Sequence, residues 1–314
     1  MFSYVVAGVA LLLFFYNPLQ EYFSAGGVRP HVYSPRPAIN ESLLATDAPS
    51  DREPNCAAHS YSVQILSKAP LVIYIENFLS TAERELLLDI SDPLFEPSTI
   101  TNNGAETHRD ATIRDSEVAL LPRSAGAGAA GADTVRCIER RALAFQGWRD
   151  DLWLERLRTQ RYGPSQHYAH HFDWGSGALG WGRVSSFMVW VDAAQDLEGG
   201  GTEFPYLRRR GLKKEWCRWV ECAASTSSGS SSDDSSIREE KVKNTYEDGE
   251  EEEEEEMGLV FKPAPGNAVF WENFRPDGTG RGWEETWHAG LPVRKGFKVG
   301  LNIWSWGRLD YQMA

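Results

Sequence analysis

The sequence predicts an α+β chain whose main body is a β-sandwich or barrel, on three observations. Helical patterns come first along the chain, and short β-rich runs separated by Gly and Pro come after them. The 314 residues are 41% apolar and 12% aromatic, enough for one sizeable core or two small ones and too hydrophobic for a wholly disordered chain.

In chain order, Phe2 to Tyr16 is an unbroken stretch of apolar and small residues, and the first charged side chain is Glu21. At about 1.5 Å per residue, residues 1–20 just span the roughly 30 Å hydrocarbon core of a bilayer. A basic n-region and a small-x-small cleavage site are missing, so an uncleaved membrane anchor is expected rather than a removed signal peptide. Residues 21–68 carry Pro, Ser, Asn and charge without periodicity, and are expected to be a linker. Asn40-Glu41-Ser42 within it is an N-glycosylation sequon, which favours a luminal body.

The expected catalytic body covers 69–314. It opens with the strand-like run Leu71 to Leu79, followed by Ser80-Thr81-Ala82-Glu83, whose hydroxyl and carboxylate form a capping box for a helix over Thr81 to Ile90. A Gly/Ala tract from Ala125 to Ala132 is expected as a loop. Val135, Ile138, Ala142 and Phe145 then recur at helical spacing. Strands are expected over Leu157 to Tyr162, Val184 to Val191, Leu259 to Phe261, Ala268 to Trp271 and Phe297 to Trp304.

Charge is distributed unevenly. The formal net charge of -13 argues against broad electrostatic binding to nucleic acid or to an anionic membrane. Most of it comes from one low-complexity insert at about 208–257, whose Ser tract and Glu run cannot bury enough apolar area to offset their ordering entropy. Cys56, Cys137, Cys217 and Cys222 fit either an oxidising compartment or four reduced thiols; Cys217 and Cys222 could close a short loop.

The chemistry-bearing segment is Arg161 to Gly175, which contains His167, His170, His171 and Asp173. Side chains alternate along a strand, so His171 and Asp173 could share a face whereas His170 and Asp173 could not. One imidazole and one carboxylate are two-thirds of a 2-His-1-carboxylate facial triad. After Asp173 the chain has a single further histidine, His288, so a distant strand could donate only that imidazole. Downstream, parity puts Lys298 on the same face as Asn302 and Trp304, opposite Val299, Leu301 and Ile303. A cation lining a pocket demands an anionic partner, which a carboxylate-bearing cosubstrate would provide.

Five ordered motifs carry a family resemblance: Gln166-x-Tyr168-x-x-His171-x-Asp173; Arg183-Val-Ser-Ser; Gly199-Gly-Gly-Thr202-Glu-Phe204-Pro205; Pro265-Gly-Asn-Ala-Val-Phe-Trp271; and His288-Ala-Gly-x-Pro292-Val293-x-x-Gly296-x-Lys298. Together with Asn77-Phe-Leu79 and Arg114-Asp-Ser116 upstream, they resemble the catalytic domain of prolyl 4-hydroxylase alpha subunits, which are iron(II)- and 2-oxoglutarate-dependent dioxygenases.

The resemblance implies a double-stranded β-helix (jelly-roll) core with N-terminal flanking helices. It also implies iron held by His171, Asp173 and His288, and Lys298 facing the distal carboxylate of 2-oxoglutarate. Tyr162 and Thr202 match positions of the 2-oxoglutarate pocket, and Tyr168, Arg183 and Trp304 match positions associated with a substrate peptide. Those three could instead be packing residues or, for Arg183, an ion-pair member.

The implied reaction consumes dioxygen, with L-ascorbate maintaining the ferrous state, and hydroxylates prolyl residues of a protein or peptide. An endoplasmic reticulum membrane location with a luminal catalytic domain accompanies it. Gly201 stands where an acidic residue is usual, Ser186 where Thr is common and Trp190 where Tyr is common. The chain has no separate peptide-binding domain, so collagen specificity is not implied. A lysyl or small-molecule hydroxylase shares every metal argument, and a noncatalytic β-sandwich binding module would keep the fold without the iron.

Overall fold

The structure, a computed structural model, describes residues 37, 40–47, 52–102, 106–123, 128–176, 180–208, 214–222 and 257–309. The expected membrane anchor and the centre of the acidic insert lie outside the described residues. Among those described, no helix is long and apolar enough to cross a membrane.

In chain order the elements are β1 (Ser62–Lys68), β2 (Leu71–Glu76), α1 (Thr81–Ser91), β3 (Glu96–Pro97), β4 (Ile100–Asn102), β5 (Glu106–His108), β6 (Arg114–Asp115), β7 (Glu117–Leu120) and α2 (Gly128–Phe145). There follow β8 (Trp153–Leu154), β9 (Arg158–Tyr162), β10 (His167–His171), β11 (Trp181–Ala193), β12 (Glu198–Gly199) and β13 (Thr202–Arg208). The last are β14 (Met257–Phe261), β15 (Ala268–Glu272), β16 (His288–Gly290), β17 (Val293–Lys295) and β18 (Lys298–Arg308).

Two antiparallel sheets make the body. The larger runs β1-β2-β15-β11-β18-β9-β7-β3, with β8 also paired to β18, and the smaller runs β14-β13-β16-β10-β6. Strand alternation decides which residues face which layer. Met188 and Trp190 of β11 meet Phe204 and Leu207 of β13 and Leu259 and Phe261 of β14, filling the space between the sheets. Phe187, Val189 and Val191 point the other way, where they join Leu87 and Ile90 of α1 and Val135, Ile138 and Ala142 of α2 in a second core. The helices therefore cover the outer face of the large sheet, and the jelly-roll interior lies between the sheets.

The capping box forms as expected. The Ser80 hydroxyl accepts from the Glu83 N–H, and the Glu83 carboxylate accepts from the Ser80 N–H at 2.8 Å. Arg141 of α2 donates to the same carboxylate at 2.6 Å, tying the two helices together.

Three expectations are corrected. Helix α2 starts inside the Gly/Ala tract, at Gly128, where the alanines favour helix. Strand β11 is longer than Val184 to Val191, since it pairs with β18 from Trp181 to Ala193. The expected linker is also partly folded. β1 pairs with β2 along its length. Leu44 is buried, the Ala45 N–H donates to the Leu154 carbonyl, and Asp47 binds Arg123 and Arg136.

Cys56 is bonded to Cys137 of α2 across 81 residues, and Cys217 to Cys222 across five. The second bond sits where Val220 bridges Phe261 of β14 and the Glu221 N–H donates to the Val260 carbonyl. The long-range bond limits the unfolded chain most. Converting Cys56 and Cys137 together to Ser is expected to lower stability by about 2–5 kcal/mol in urea denaturation, with reductant producing a comparable loss in the unaltered protein.

Candidate metal and cosubstrate site

Strands β10 and β16 are antiparallel neighbours, and their register sets His171 directly opposite His288. Residues 117 positions apart thus present two imidazoles with ring centroids 4.3 Å apart. Each ring is oriented by its own chain: the His171 Nδ1–H donates to the Ala169 carbonyl at 2.9 Å and the His288 Nδ1–H to the Thr286 carbonyl at 2.8 Å. A carbonyl can only accept, so in both rings the proton sits on Nδ1 and the Nε2 lone pair is free for a metal.

Both Nε2 atoms face Asp173, 3.6 Å from Oδ1 for His171 and 3.9 Å from Oδ2 for His288. The ligand atoms of the three residues all lie within 4.8 Å of one another. Asp173 does not lie on the strand with His171, as the spacing had suggested. β10 ends at His171, and Asp173 opens a short 3-10 turn that swings its carboxylate back toward the imidazoles. His170 points elsewhere, bonded to Glu203 at 2.8 Å, as alternation required.

Electrostatics leave Asp173 and His288 in metal-binding form. Burial by itself would raise the Asp173 pKa, but His288 and His171 outweigh it and hold the carboxyl well below the usual carboxylate range. Burial and then the neighbouring His171 push His288 down to about 4, so its imidazole is neutral at pH 7. Aromatic walls fix the rings: Tyr168 stacks on His171 at 3.8 Å, while Phe204 stacks on His288 at 5.3 Å and Trp271 meets His288 edge-on at 4.9 Å. Two imidazole nitrogens and an anionic carboxylate oxygen, with the outer hydrogen bonds of both rings already made, fit a ferrous ion.

The same cavity is lined by Lys298, Tyr162, Thr202 and Tyr168. Lys298 opens β18 and is 1% exposed. Its ammonium donates to the Gly200 carbonyl at 2.5 Å and lies 4.8 Å from the centre of the Tyr162 ring. No carboxylate among the described residues pairs with it, and burial alone pulls its pKa down to about 7. A buried cation with no counter-ion is an arrangement completed by an anionic ligand.

Sequence reasoning located His171, Asp173, His288, Lys298, Tyr162, Thr202 and Tyr168, and the structure brings all seven to one cavity. Arg183 and Trp304 are not among its lining residues. Arg183 bonds Glu155 at 2.6 and 3.2 Å and lies over the Trp304 ring at 4.0 Å. It is thus a member of a largely buried ion pair.

Gln160, Met188, Trp271, Gly290 and Asn302 also line the cavity. Asn302 was visible by parity with Lys298, and Gln160 could have been found the same way, two residues before Tyr162 on β9. Its Oε1 accepts from the Tyr162 hydroxyl at 2.7 Å, and its Nε2 is buried without a partner. The departure at Gly201 has a steric reason: a Cβ there would lie 2.4 Å from Val260 Cγ1.

Residues 157–306 match the model of the 2OG-Fe(II) oxygenase superfamily. Among curated relatives, probable prolyl 4-hydroxylase 3 of Arabidopsis thaliana is 24% identical over 247 residues, covering 77% of this chain and 71% of the relative. Prolyl 4-hydroxylase 13 of the same plant is 25% identical over 244 residues, covering 76% and 72%. Among solved structures, the viral collagen prolyl hydroxylase of Paramecium Bursaria Chlorella virus-1 aligns with a TM-score of 0.44 and 19% identity, over 75% of this chain and 95% of that one.

Proposed function

We propose that this chain, in which residues 157–306 form a 2OG-Fe(II) oxygenase domain of the prolyl 4-hydroxylase type, hydroxylates prolyl residues in a protein or peptide. The observation that carries the reading is the joint lining of one cavity by the His171, Asp173 and His288 cluster and by the unpaired ammonium of Lys298.

His171, Asp173 and His288 would hold the iron through two Nε2 atoms and a carboxylate oxygen. When bound, iron(II) with 2-oxoglutarate and dioxygen supplies an oxidant able to insert oxygen into an unactivated C–H bond, with succinate and carbon dioxide as the other products. The chain supplies position. Lys298 receives the cosubstrate's far carboxylate, which fixes its orientation in the cavity. Thr202 is 4% exposed and Tyr162 3% exposed, and both restrict water at that end. Tyr168 and the walls formed by Phe204 and Trp271 prevent either imidazole from turning.

L-ascorbate joins the proposal as the reductant that returns oxidised iron to the ferrous form. The two disulfides support a secretory-pathway lumen. With the apolar N-terminal segment, they motivate a location on the luminal side of the endoplasmic reticulum membrane.

The test is turnover of proline-containing peptides with iron(II), 2-oxoglutarate and oxygen. Succinate formed in step with a mass gain of one oxygen on a prolyl residue is the expected result. Succinate coupled to oxygen on lysine, or on no peptide tried, would refute the prolyl assignment while leaving the oxygenase; no succinate at all would refute both.

A further inference from the structure

We infer that Gln160 is a further cosubstrate-binding residue, whose side-chain N–H donates to a carboxylate oxygen of 2-oxoglutarate. This rests on the oxygenase reading above and adds to that site a residue outside the motifs that carry the family resemblance.

Gln160 lies in the middle of β9, two residues before Tyr162, so alternation gives the two side chains one face. Both line the cavity together with Lys298. The register accounts for the grouping, since on β18 Lys298 sits opposite Tyr162 and Gly300 opposite Gln160. A carboxamide only 2% exposed is expected to have both of its ends bonded. Here one end is. The Tyr162 hydroxyl donates to Gln160 Oε1 at 2.7 Å, and Nε2 is buried with no partner.

The orientation of the amide follows from its surroundings. Burial raises the Tyr162 pKa, and the charge of Arg114 acts against that rise. A guanidinium has no lone pair to offer, so the phenolic oxygen turns its own lone pairs toward Arg114 and its proton toward Gln160. The carboxamide therefore presents its oxygen to Tyr162 and its nitrogen elsewhere.

No side chain on the neighbouring strands answers that nitrogen. Val118, opposite Gln160 on β7, is apolar, and Gly300 on the other side carries no side chain. Met188 occupies the space over Gly300, where a Cβ would lie 2.5 Å from its Cε, and a thioether is a weak acceptor. Lys298 can only donate. One cavity thus holds an ammonium without a counter-ion and an amide N–H without an acceptor. Each is costly when buried, and a dicarboxylate relieves both, whereas a neutral ligand would satisfy the amide alone.

The experiment is anaerobic calorimetric titration of 2-oxoglutarate into the full chain loaded with iron(II). Gln160→Met keeps the length of the side chain and removes the donor. It is expected to weaken 2-oxoglutarate binding about tenfold or more, the usual effect of losing a hydrogen bond to a charged group, with iron(II) affinity unchanged. Gln160→Glu separates this role from packing. It keeps an acceptor for the Tyr162 hydroxyl but sets a negative charge against the incoming carboxylate. Binding should weaken at least as much as in the methionine variant, while the thermal stability of the cosubstrate-free protein is retained. A residue that only held Tyr162 in place would give the opposite order, with the glutamate variant spared and the methionine variant impaired. That order, or affinity within about twofold of the unaltered protein in the methionine variant, would overturn the inference. Failure of the oxygenase reading shows separately, as the absence of succinate from the unaltered protein in an aerobic assay.

Discussion

Replacing His288 with Ala is expected to abolish succinate formation and to remove ferrous-iron binding from the measurable range. The effect should exceed the 10–100-fold that loss of an outer hydrogen-bond partner costs a metal site, because a ligand itself is removed. The fold should survive, since His288 opens the three-residue strand β16, whose backbone bonds to β10 and β13 do not involve the imidazole. Two measurements separate chemistry from collapse: titration of the variant with iron(II) under anaerobic conditions, and far-UV circular dichroism. Iron bound as tightly as in the unaltered protein would remove His288 from the ligand set. The neighbouring histidine provides a control, because His170→Ala leaves the three candidate ligands in place and should leave iron affinity almost unchanged.

Lys298→Met is expected to have two opposite effects. The Michaelis constant for 2-oxoglutarate should rise about a hundredfold or more, the usual consequence of removing one member of a buried hydrogen-bonded charge pair. The cosubstrate-free protein, however, should become more stable. Burial lowers the Lys298 pKa from an ordinary 10.5 to about 7. Below about 7 the folded and unfolded chains both carry the proton, so the full penalty of the buried charge is present. Between about 7 and 10.5 the unfolded chain holds a proton that the folded chain has released, so stability rises with pH across that window.

The methionine variant has no such term. Its advantage in thermal unfolding should be largest below pH 7, on the order of a few kcal/mol less the bond to Gly200, and should fade toward pH 10.5. The same proton sets cosubstrate affinity. Above about pH 7, binding 2-oxoglutarate requires Lys298 to regain its charge, so the apparent dissociation constant should climb by about tenfold per pH unit. A flat pH profile for both stability and affinity would show that the ammonium does not face the cosubstrate.

The site was largely legible because its members are rare residue types at fixed offsets. A single histidine follows Asp173, and the alternation after Phe297 separates Lys298 from Val299, Leu301 and Ile303, which pack toward the helices. Other features depend on registers that the sequence does not print. The turn that returns Asp173 to His171 leaves the strand, so alternation reached the right pair by a wrong route. Gln160 looks like an ordinary strand polar residue until β9 is laid beside β18, opposite Gly300. Glu155 gives no local sign of holding Arg183 and Trp306 together. The docked segment around Leu44 was missed for a related reason, since its partners, Leu154 and Arg156, are more than a hundred residues away.

The long acidic stretch departs from the end of a disulfide-closed loop at Cys222 and rejoins at Met257, on the strand that Val220 already bridges. Its two points of attachment are therefore held close together by the scaffold, whatever lies between them. Closing a longer excursion between neighbouring anchors adds entropy only logarithmically, about 0.6 kcal/mol per doubling. The number of residues spliced in at this point can drift widely among descendants of one ancestor without disturbing the chemistry on the far strands.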